Sequence, residues 1–287
     1  FISNMVHIQI ILDKNVITSL QSGFVSNDST VNQLTSIYHN FCQALDEGKE
    51  VRAFFCDISK AFDRVWHKGL IYKLSLTGIS GNLFDWFKDY LSDRRQRVVL
   101  SGSFSNLLNI NAGVPQGSIL GPLLLIVYIN DIVVDIESII RLFADDTSLY
   151  LIVENPITAA DILNSDLNKI STWADTWLVK VNPNKTESIL ISKKARQLNH
   201  PPLVMNNIQI SEVDSHKHLG VTLSKNGAWS EHISNIKHKA WQRINIMKKL
   251  EFTLDRKSLE TIYFSFIRPI LEYADVVWDN LSQKDEL

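Results

Sequence analysis

Short apolar runs ending in acids, longer stretches with helical spacing, and Gly- and Pro-marked turns between them predict an α+β fold for this chain. The acid-ended runs are Ala53-Phe54-Phe55-Cys56-Asp57-Ile58 and Leu142-Phe143-Ala144-Asp145-Asp146, and both have the length of buried strands. A length of 287 residues allows a large core or two to three smaller units rather than one compact ball. With 45% hydrophobic and 21% charged residues, the composition is that of a folded protein and not of a disordered chain.

In chain order, Val31, Leu34, Ile37, Tyr38, Phe41 and Leu45 recur at helical spacing and predict a helix over 29–45 that ends near Gly48. Residues 51–58 follow as a strand, and the stretch 59–73 opens with a helix start. A turn at Gly78-Ile79-Ser80-Gly81 precedes a helix over 83–91. Arg94, Arg95 and Arg97 make a basic loop that leads to a strand at Val98-Val99-Leu100. A further strand at 107–110 runs into a turn through Gly113, Pro115 and Gly117. The apolar stretch 119–134 predicts a mainly buried helix, with Pro122 tolerable only near its first turn.

Strands over 139–143 and 147–153 are expected to form a hairpin with Asp145 and Asp146 at its tip. Ile162, Leu167, Ile170, Trp173, Ala174 and Trp177 give an amphipathic helix over 157–178, in which the two tryptophans read as core. Beyond a turn at 181–186 come a strand at 187–192, a surface loop at 196–202, and short strands at 204–210 and 217–223. From Trp229 the chain becomes helical and basic, with seven Lys or Arg between Lys237 and Lys257 against Glu251 and Asp255. A domain boundary is expected at 224–227.

The formal charge of −2 gives no global basic signature, so any contact with nucleic acid must come from local patches. Cys42 and Cys56 form neither a ligand cluster nor a disulfide framework and read as buried thiols of a reducing compartment. No basic segment feeds an apolar one, so no secretory signal is visible, and the start at Phe1 suggests a fragment. The most apolar stretch, 119–132, is too short to cross a bilayer, so no membrane role is expected.

A carboxylate beside a buried strand is costly unless it is paired or coordinates a cation. Three of them, Asp57 and the Asp145-Asp146 pair, supply the hard oxygens that suit Mg²⁺ with substrate phosphates. Such a set fits a two-metal nucleotidyl transferase, which clamps an attacking hydroxyl and the transferred phosphate. Ordinary strand-end acids are the alternative at this point.

Between the acids lies Gly113-Val114-Pro115-Gln116-Gly117-Ser118-Ile119-Leu120-Gly121-Pro122. With that run in place the chain resembles the reverse transcriptase domain of non-LTR (LINE-like, jockey-type) retrotransposons. Phe55-Cys56-Asp57-Ile58-Ser59-Lys60-Ala61-Phe62-Asp63 is similar to the family's first catalytic motif, and Phe143-Ala144-Asp145-Asp146 to its third. Order and separation match as well as letters. Outside the centre, Gln21-Ser22-Gly23-Phe24 with Ser29-Thr30 resembles the end of the fingers region, and Leu178 to Thr186 the fourth palm motif. Lys217-His218-Leu219-Gly220-Val221 resembles the primer grip, and Tyr273-Ala274-Asp275-Val276-Val277-Trp278 the close of the thumb.

The resemblance implies a right-hand polymerase fold: partial fingers over 1–50, a ferredoxin-like palm with interleaved fingers elements over 51–224 and its acids near one sheet edge, and a helical thumb over 225–287. It implies an RNA-directed DNA polymerase that takes dNTPs, an RNA template and a DNA primer, with two Mg²⁺, or Mn²⁺ in their place. Asp57, Asp145, Asp146 and the backbone carbonyl of Ile58 would hold the metals. Phe62 would be the steric gate under the sugar, although alone it reads as a core aromatic. Gln116 would reach over the nucleotide and template base, Gly113 and Gly117 would let backbone approach the pair, with a plain Pro-containing turn as the alternative, and Lys185 would stabilise the pyrophosphate. Asp63 could cap a turn or recognise a ribose, Ser118 could cap the helix, and a solvated turn also accounts for Lys185.

Arg94, Arg95, Arg97 and the later Lys237, Lys239, Arg243, Lys248 and Lys249 suit phosphate contacts or an ordinary solvated surface. The family's upstream basic fingers segment, endonuclease, template-primer anchor and cysteine-rich module are not in this sequence, so weak activity in isolation is expected. The family location is intracellular, in nucleus and cytoplasm. An RNA-directed RNA polymerase is the enzymatic alternative, against which Ala144 before the paired acids stands, and a decayed nucleic-acid-binding remnant is the other.

Overall fold

The computed structural model describes residues 16–194 and 199–279; the residues before Val16, part of the loop expected at 196–202 and the last eight residues lie outside the described residues. The strands are β1 (Glu50–Cys56), β2 (Arg95–Gln96), β3 (Val99–Leu100), β4 (Ser103–Phe104), β5 (Leu108–Asn109), β6 (Ile139–Phe143) and β7 (Asp146–Val153). They continue with β8 (Glu187–Ile191), β9 (Val204–Met205), β10 (Ile208–Gln209), β11 (Ser211–Glu212), β12 (Ser215–His218) and β13 (Val221–Ser224). Five of them build the central sheet in the order β11-β8-β1-β7-β6. β1 is antiparallel to both β7 and β8, β6 is antiparallel to β7, and β11 adds in parallel to β8. With helices between β1 and β6 and again between β7 and β8, strands β8-β1-β7-β6 form a βαββαβ unit, the ferredoxin-like palm.

All seven residues of β1 are buried, because both faces of the sheet are covered there. Phe54 and Cys56 enter one core beneath the helices Leu120–Ile129 and Pro156–Thr176. Val51, Ala53 and Phe55 enter a second core, closed by Leu34, Ile37 and Phe41 of the helix Thr30–Asp46 and by Trp229 and Ile233 at the start of the helix Ser230–Leu250. Ser29 caps the first of these helices by accepting the Asn32 N–H at 3.1 Å, and Asn155 caps the Pro156–Thr176 helix through the Ile157 and Thr158 N–H groups. Among the described residues no helix is long and apolar enough to cross a membrane.

Several boundaries differ from those expected. The stretch 204–210 is not one strand but the hairpin β9–β10, turned by Asn206 and Asn207 at φ +51 and +61. Likewise 217–223 belongs to the hairpin β12–β13, turned by Leu219 and Gly220 at φ +44 and +92. Two successive left-handed residues reverse the chain with the twist a hairpin needs, and an apolar Leu219 at such a position carries no turn signal. The basic loop at 94–97 is half strand: Arg95 pairs with Asn109 across β2 and β5, while β3 and β4 form a separate two-stranded ladder. The helix start at 59 resolves into a four-residue helix, Ala61–Arg64, followed by the helix His67–Leu76. Cys56 is buried as expected, whereas Cys42 is only half-buried.

The first core is pinned by a charged side chain that carries no signal in the sequence. Lys73, 5% exposed, donates from Nζ to the Tyr128 carbonyl and to Asp131 Oδ1, both at 2.5 Å. The same ammonium lies 3.8 Å from the Trp177 ring centre, 4.9 Å from Tyr128 and 5.0 Å from Trp173. Trp173 Nε1 donates to the same Asp131 oxygen at 2.8 Å, so three helices meet at one cation. Trp173 and Trp177 are therefore core residues with a defined task.

Burial pushes the Lys73 pKa down to about 8 despite its Asp131 partner. The unfolded chain holds that proton more tightly, so the fold pays a penalty below pH 8 that fades as the pH approaches the ordinary lysine value. Urea denaturation at pH 7 and pH 10 should therefore show the natural chain gaining on Lys73→Met by roughly 1–3 kcal/mol. Parallel pH profiles of the two proteins would disprove it.

Candidate functional site

The site forms where β1 ends and β7 begins, in the middle of the sheet. The expectation of acids near a sheet edge is therefore corrected, because β1 and β7 are inner strands. Cys56 pairs with Thr147, and one step further the same register sets Asp57 opposite Asp146. Phe143 pairs with Asp146, so the hairpin loop is Ala144-Asp145 and only Asp145 is at the tip expected for both acids. Asp146 is the first residue of β7.

Ala144 takes φ +52, a left-handed conformation that a residue with a Cβ adopts only under outside support. The support comes from Gln21, which is 3% exposed. Its Oε1 accepts the Ala144 N–H at 2.8 Å and the Gly23 N–H at 2.7 Å, while its Nε2 donates to the Ala144 carbonyl at 3.2 Å. Ser22 N–H donates to the Leu142 carbonyl and Leu142 N–H to the Leu20 carbonyl, each at 2.9 Å. Gly23 is required by space: a Cβ there would lie 2.1 Å from the Ala144 nitrogen and 2.8 Å from the Phe143 carbonyl carbon. Sequence reasoning grouped Gln21 to Phe24 with the fingers but missed this brace, since a contact across 123 residues leaves no local pattern.

A second clamp holds Asp57. Asn182 N–H donates to the Asp57 carbonyl at 3.0 Å, Ser59 N–H to the Lys180 carbonyl at 2.9 Å, and Thr186 Oγ1 accepts the Asp57 N–H at 3.4 Å. Ile58 pairs with Val181 between those two backbone bonds, so its own carbonyl points away from Val181 and toward the β7 side of the sheet. Ser59 Oγ donates to Asp57 Oδ2 at 3.2 Å. The turn carrying Lys185 is closed by the Lys185 and Thr186 N–H groups on the Asn182 carbonyl. Lys185 is exposed on it, on the segment whose Asn182 holds Asp57.

The electrostatics follow from this crowding. Desolvation pushes the Asp145 carboxyl above its ordinary range and the charge of Asp57 adds to it; Asp146 is pushed up by desolvation and by the charges of Asp145 and Asp57. Among the described residues no group of three or more His, Cys, Asp or Glu is arranged to hold a metal as it stands. The donor set nonetheless suits hard divalent cations: three carboxylates and an outward carbonyl, with no ion pair on any of the three among the described residues. Magnesium completes its shell with water and substrate phosphates rather than with an all-protein cage.

The third part of the site is a loop fastened to the turn after β1. Gly113 N–H donates to the Val65 carbonyl and Val114 N–H to the Phe62 carbonyl, both at 2.8 Å, and His67 Nε2 lies 2.8 Å from the Gly113 oxygen. Gly113 has φ +95, with a Cβ position 3.1 Å from the Asp63 carbonyl oxygen. Ser118 does cap the following helix, accepting the Gly121 N–H at 2.9 Å and donating to Pro115 at 2.7 Å. Phe62 is half-buried, Asp63 is exposed, and Gln116 and Gly117 are exposed on the loop. Beside Gln116 opens a groove of about 710 Å³ with Lys60, Arg64, Arg94 and Arg95 in its wall. Arg97 instead lies over Phe104, 4.3 Å from the ring centre. Lys239, Arg243, Lys248 and Lys249 are exposed along the Ser230–Leu250 helix, and Lys237 is half-buried on it.

The hairpin β12–β13 closes the other face. His216 stacks on Phe55 with ring centres 3.8 Å apart and shares a 2.7 Å contact from Nδ1 to Glu187 Oε2. Burial takes the His218 pKa down to about 3, so that ring is neutral. Tyr273 OH donates to the Leu219 carbonyl at 2.7 Å and Trp278 Nε1 to the Tyr273 carbonyl at 3.0 Å, which ties the segment 273–278 to this hairpin.

The profile of a family described as reverse transcriptase (RNA-dependent DNA polymerase) matches residues 2–223. The probable RNA-directed DNA polymerase from transposon BS of Drosophila melanogaster is 31% identical over 94% of this chain and 31% of its own length. The RNA-directed DNA polymerase from mobile element jockey of Drosophila funebris is 31% identical over 91% of this chain and 30% of its own. The chain thus spans about a third of the length of these relatives. Among solved structures, apo telomerase from Candida tropicalis, truncated from its C-terminal domain, superposes with a TM-score of 0.53 over 77% of this chain and 42% of its own at 12% identity. Telomerase from Candida albicans, in complex with a fragment of telomeric RNA, gives 0.53 over 96% and 51% at 10% identity. These likenesses show a shared polymerase fold.

The close approach at Gly23 makes a prediction independent of chemistry. Gly23→Ala should cost about 1–3 kcal/mol in chemical denaturation, because backbone and not a flexible side chain must yield. A cost under about 0.5 kcal/mol would mean that the hairpin is not braced there.

Proposed function

The chain belongs to the reverse transcriptase family, and on that premise we propose that it is the polymerase segment of a non-LTR retrotransposon protein, adding dNTPs to a DNA primer on an RNA template. The observation that carries this reading is the register that sets Asp57 opposite Asp146 beside the Asp145 tip, three crowded acids with no ion pair among the described residues. Asp57, Asp145, Asp146 and the Ile58 carbonyl would hold two divalent ions, Mg²⁺ or Mn²⁺. Such ions, bound there with the triphosphate, would lower the pKa of the primer 3′-hydroxyl and offset charge on the phosphates.

The remaining work is positioning. Phe62 would lie under the sugar and leave no room for a 2′-hydroxyl. Gln116 would meet the incoming nucleotide and template base with an uncharged amide, and the Gly117 backbone would pass close to the new pair. As the 3′-oxygen bonds to the α-phosphorus and the α–β bridging bond breaks, Lys185 would donate to the departing pyrophosphate. The groove with Lys60, Arg64, Arg94 and Arg95 and the exposed Lys239, Arg243, Lys248 and Lys249 of the Ser230–Leu250 helix would supply phosphate contacts for template and primer. In the whole protein, an endonuclease and other element-encoded domains would act beside this segment, in nucleus and cytoplasm.

Primer extension on an RNA template with Mg²⁺, with dNTPs and rNTPs supplied in parallel, tests the reading. DNA synthesis should appear with dNTPs and fall at least about a hundredfold in Asp145→Asn, with template-primer binding retained. Preference for rNTPs would replace this reading by an RNA polymerase. Synthesis surviving in the Asn protein would remove Asp145 from the site.

A further inference from the structure

Phe24 combines three features that a passive surface residue does not share. It is a large aromatic left 54% exposed. Its backbone takes φ +59, a region disfavoured for bulky side chains. Its ring meets Phe62 edge to face, with centres 6.4 Å apart and planes at 89°. Strain at an exposed position persists where the surrounding structure fixes it, and such sites cluster around function.

What fixes Phe24 is the brace on the acid-bearing hairpin. Gly23, directly before it, lies against the backbone of Phe143 and Ala144, and the Gly23 N–H is held by Gln21. The backbone of Phe24 is therefore referenced to the loop of Asp145, while its ring touches the aromatic assigned to the sugar gate. Phe62 packs against the edge of the first core, and the helix that carries it, Ala61–Arg64, is only one turn long and begins after Lys60 at φ +53. A half-buried ring on a single turn excludes an extra hydroxyl only while something stops it from swinging aside.

Resting on the polymerase reading above, we propose that Phe24 is a specificity-determining positioning residue, a second aromatic that holds Phe62 against rotation and thereby sets how strictly the site rejects ribonucleotides. A rotation of Phe62 out of its present position would forfeit the edge-to-face contact with Phe24, so that contact favours the orientation the ring now has. Because Phe24 is tied to the hairpin of Asp145 and Asp146, the gate and the acids share one frame. Removing the Phe24 ring should affect discrimination between sugars more than the rate with the correct one.

The test compares kcat/KM for a dNTP and its matching rNTP on one RNA template and DNA primer, in the natural chain and in Phe24→Ala, Phe24→Leu and Phe62→Ala. Selectivity for the deoxynucleotide should fall about tenfold in Phe24→Ala and remain within about threefold of the natural value in Phe24→Leu, which keeps the bulk. The same ratio, read without chemistry as the dNTP and rNTP concentrations that stabilise the template-primer complex in Ca²⁺, should move in parallel. An unchanged ratio in Phe24→Ala beside a collapsed one in Phe62→Ala overturns the role of Phe24 and leaves the gate standing. Ratios unchanged in both proteins remove Phe62 as the gate and this inference with it. A natural chain that forms no nucleotide-dependent complex with either sugar overturns the polymerase reading itself.

Discussion

Three like charges gathered at one end of a buried sheet repel one another, and the surrounding structure is organised against that repulsion. Asp57, Asp145 and Asp146 come together because β1 and β7 share a register, not because any side chain attracts them. Desolvation and mutual charge raise two of the three, which is a destabilising arrangement in a resting protein. It persists because the two segments that carry the acids are fastened from outside, one by the Gln21 amide on Ala144 and the other by Asn182 and Thr186 on Asp57. Sites that need unfavourable charge commonly draw on stability elsewhere, and here the source is a core that closes both faces of β1.

The fastenings share a character. Backbone groups form most of them: Gly113 on Val65, Val114 on Phe62, Asn182 on Asp57, Ser59 on Lys180 and Ser22 on Leu142. Segments distant in sequence are thus joined by contacts that do not depend on side-chain identity. At Gly23 another chain segment leaves no room for a Cβ, and at Gly113 a close carbonyl and φ +95 both favour glycine. That economy is compatible with relatives that keep the fold while sharing 31% of their residues with this chain.

Much of this was legible from the sequence where a periodic pattern reports directly on burial. The helices Thr30–Asp46, Asn82–Leu91 and Pro156–Thr176 fall within a residue or two of the stretches expected, because their apolar spacing is that of one buried face. The acids and the loop of Gln116 and Gly117 were identified by their letters and order. Hidden features depend on long-range geometry. Nothing local distinguishes Gln21 from a surface glutamine or Lys73 from a solvated one, and Leu219 gives no hint of its left-handed turn. The central placement of the acids was likewise misjudged, since the order β8-β1-β7-β6 is a property of pairing and not of any one strand.

That strand order also bears on how the chain reaches its folded state. Among the described strands β1 hydrogen-bonds only with β7 and β8, whose first residues lie 90 and 131 positions beyond its last, Cys56. At ribosomal speeds of about 5–20 residues per second, both edges of this strand stay unpaired for roughly 5–20 s after it is made. Over that interval Ala53-Phe54-Phe55-Cys56 is a short β-prone run with open edges, the kind that pairs with copies of itself. The geometry that places Asp57 beside Asp146 therefore brings slow, non-local assembly with it.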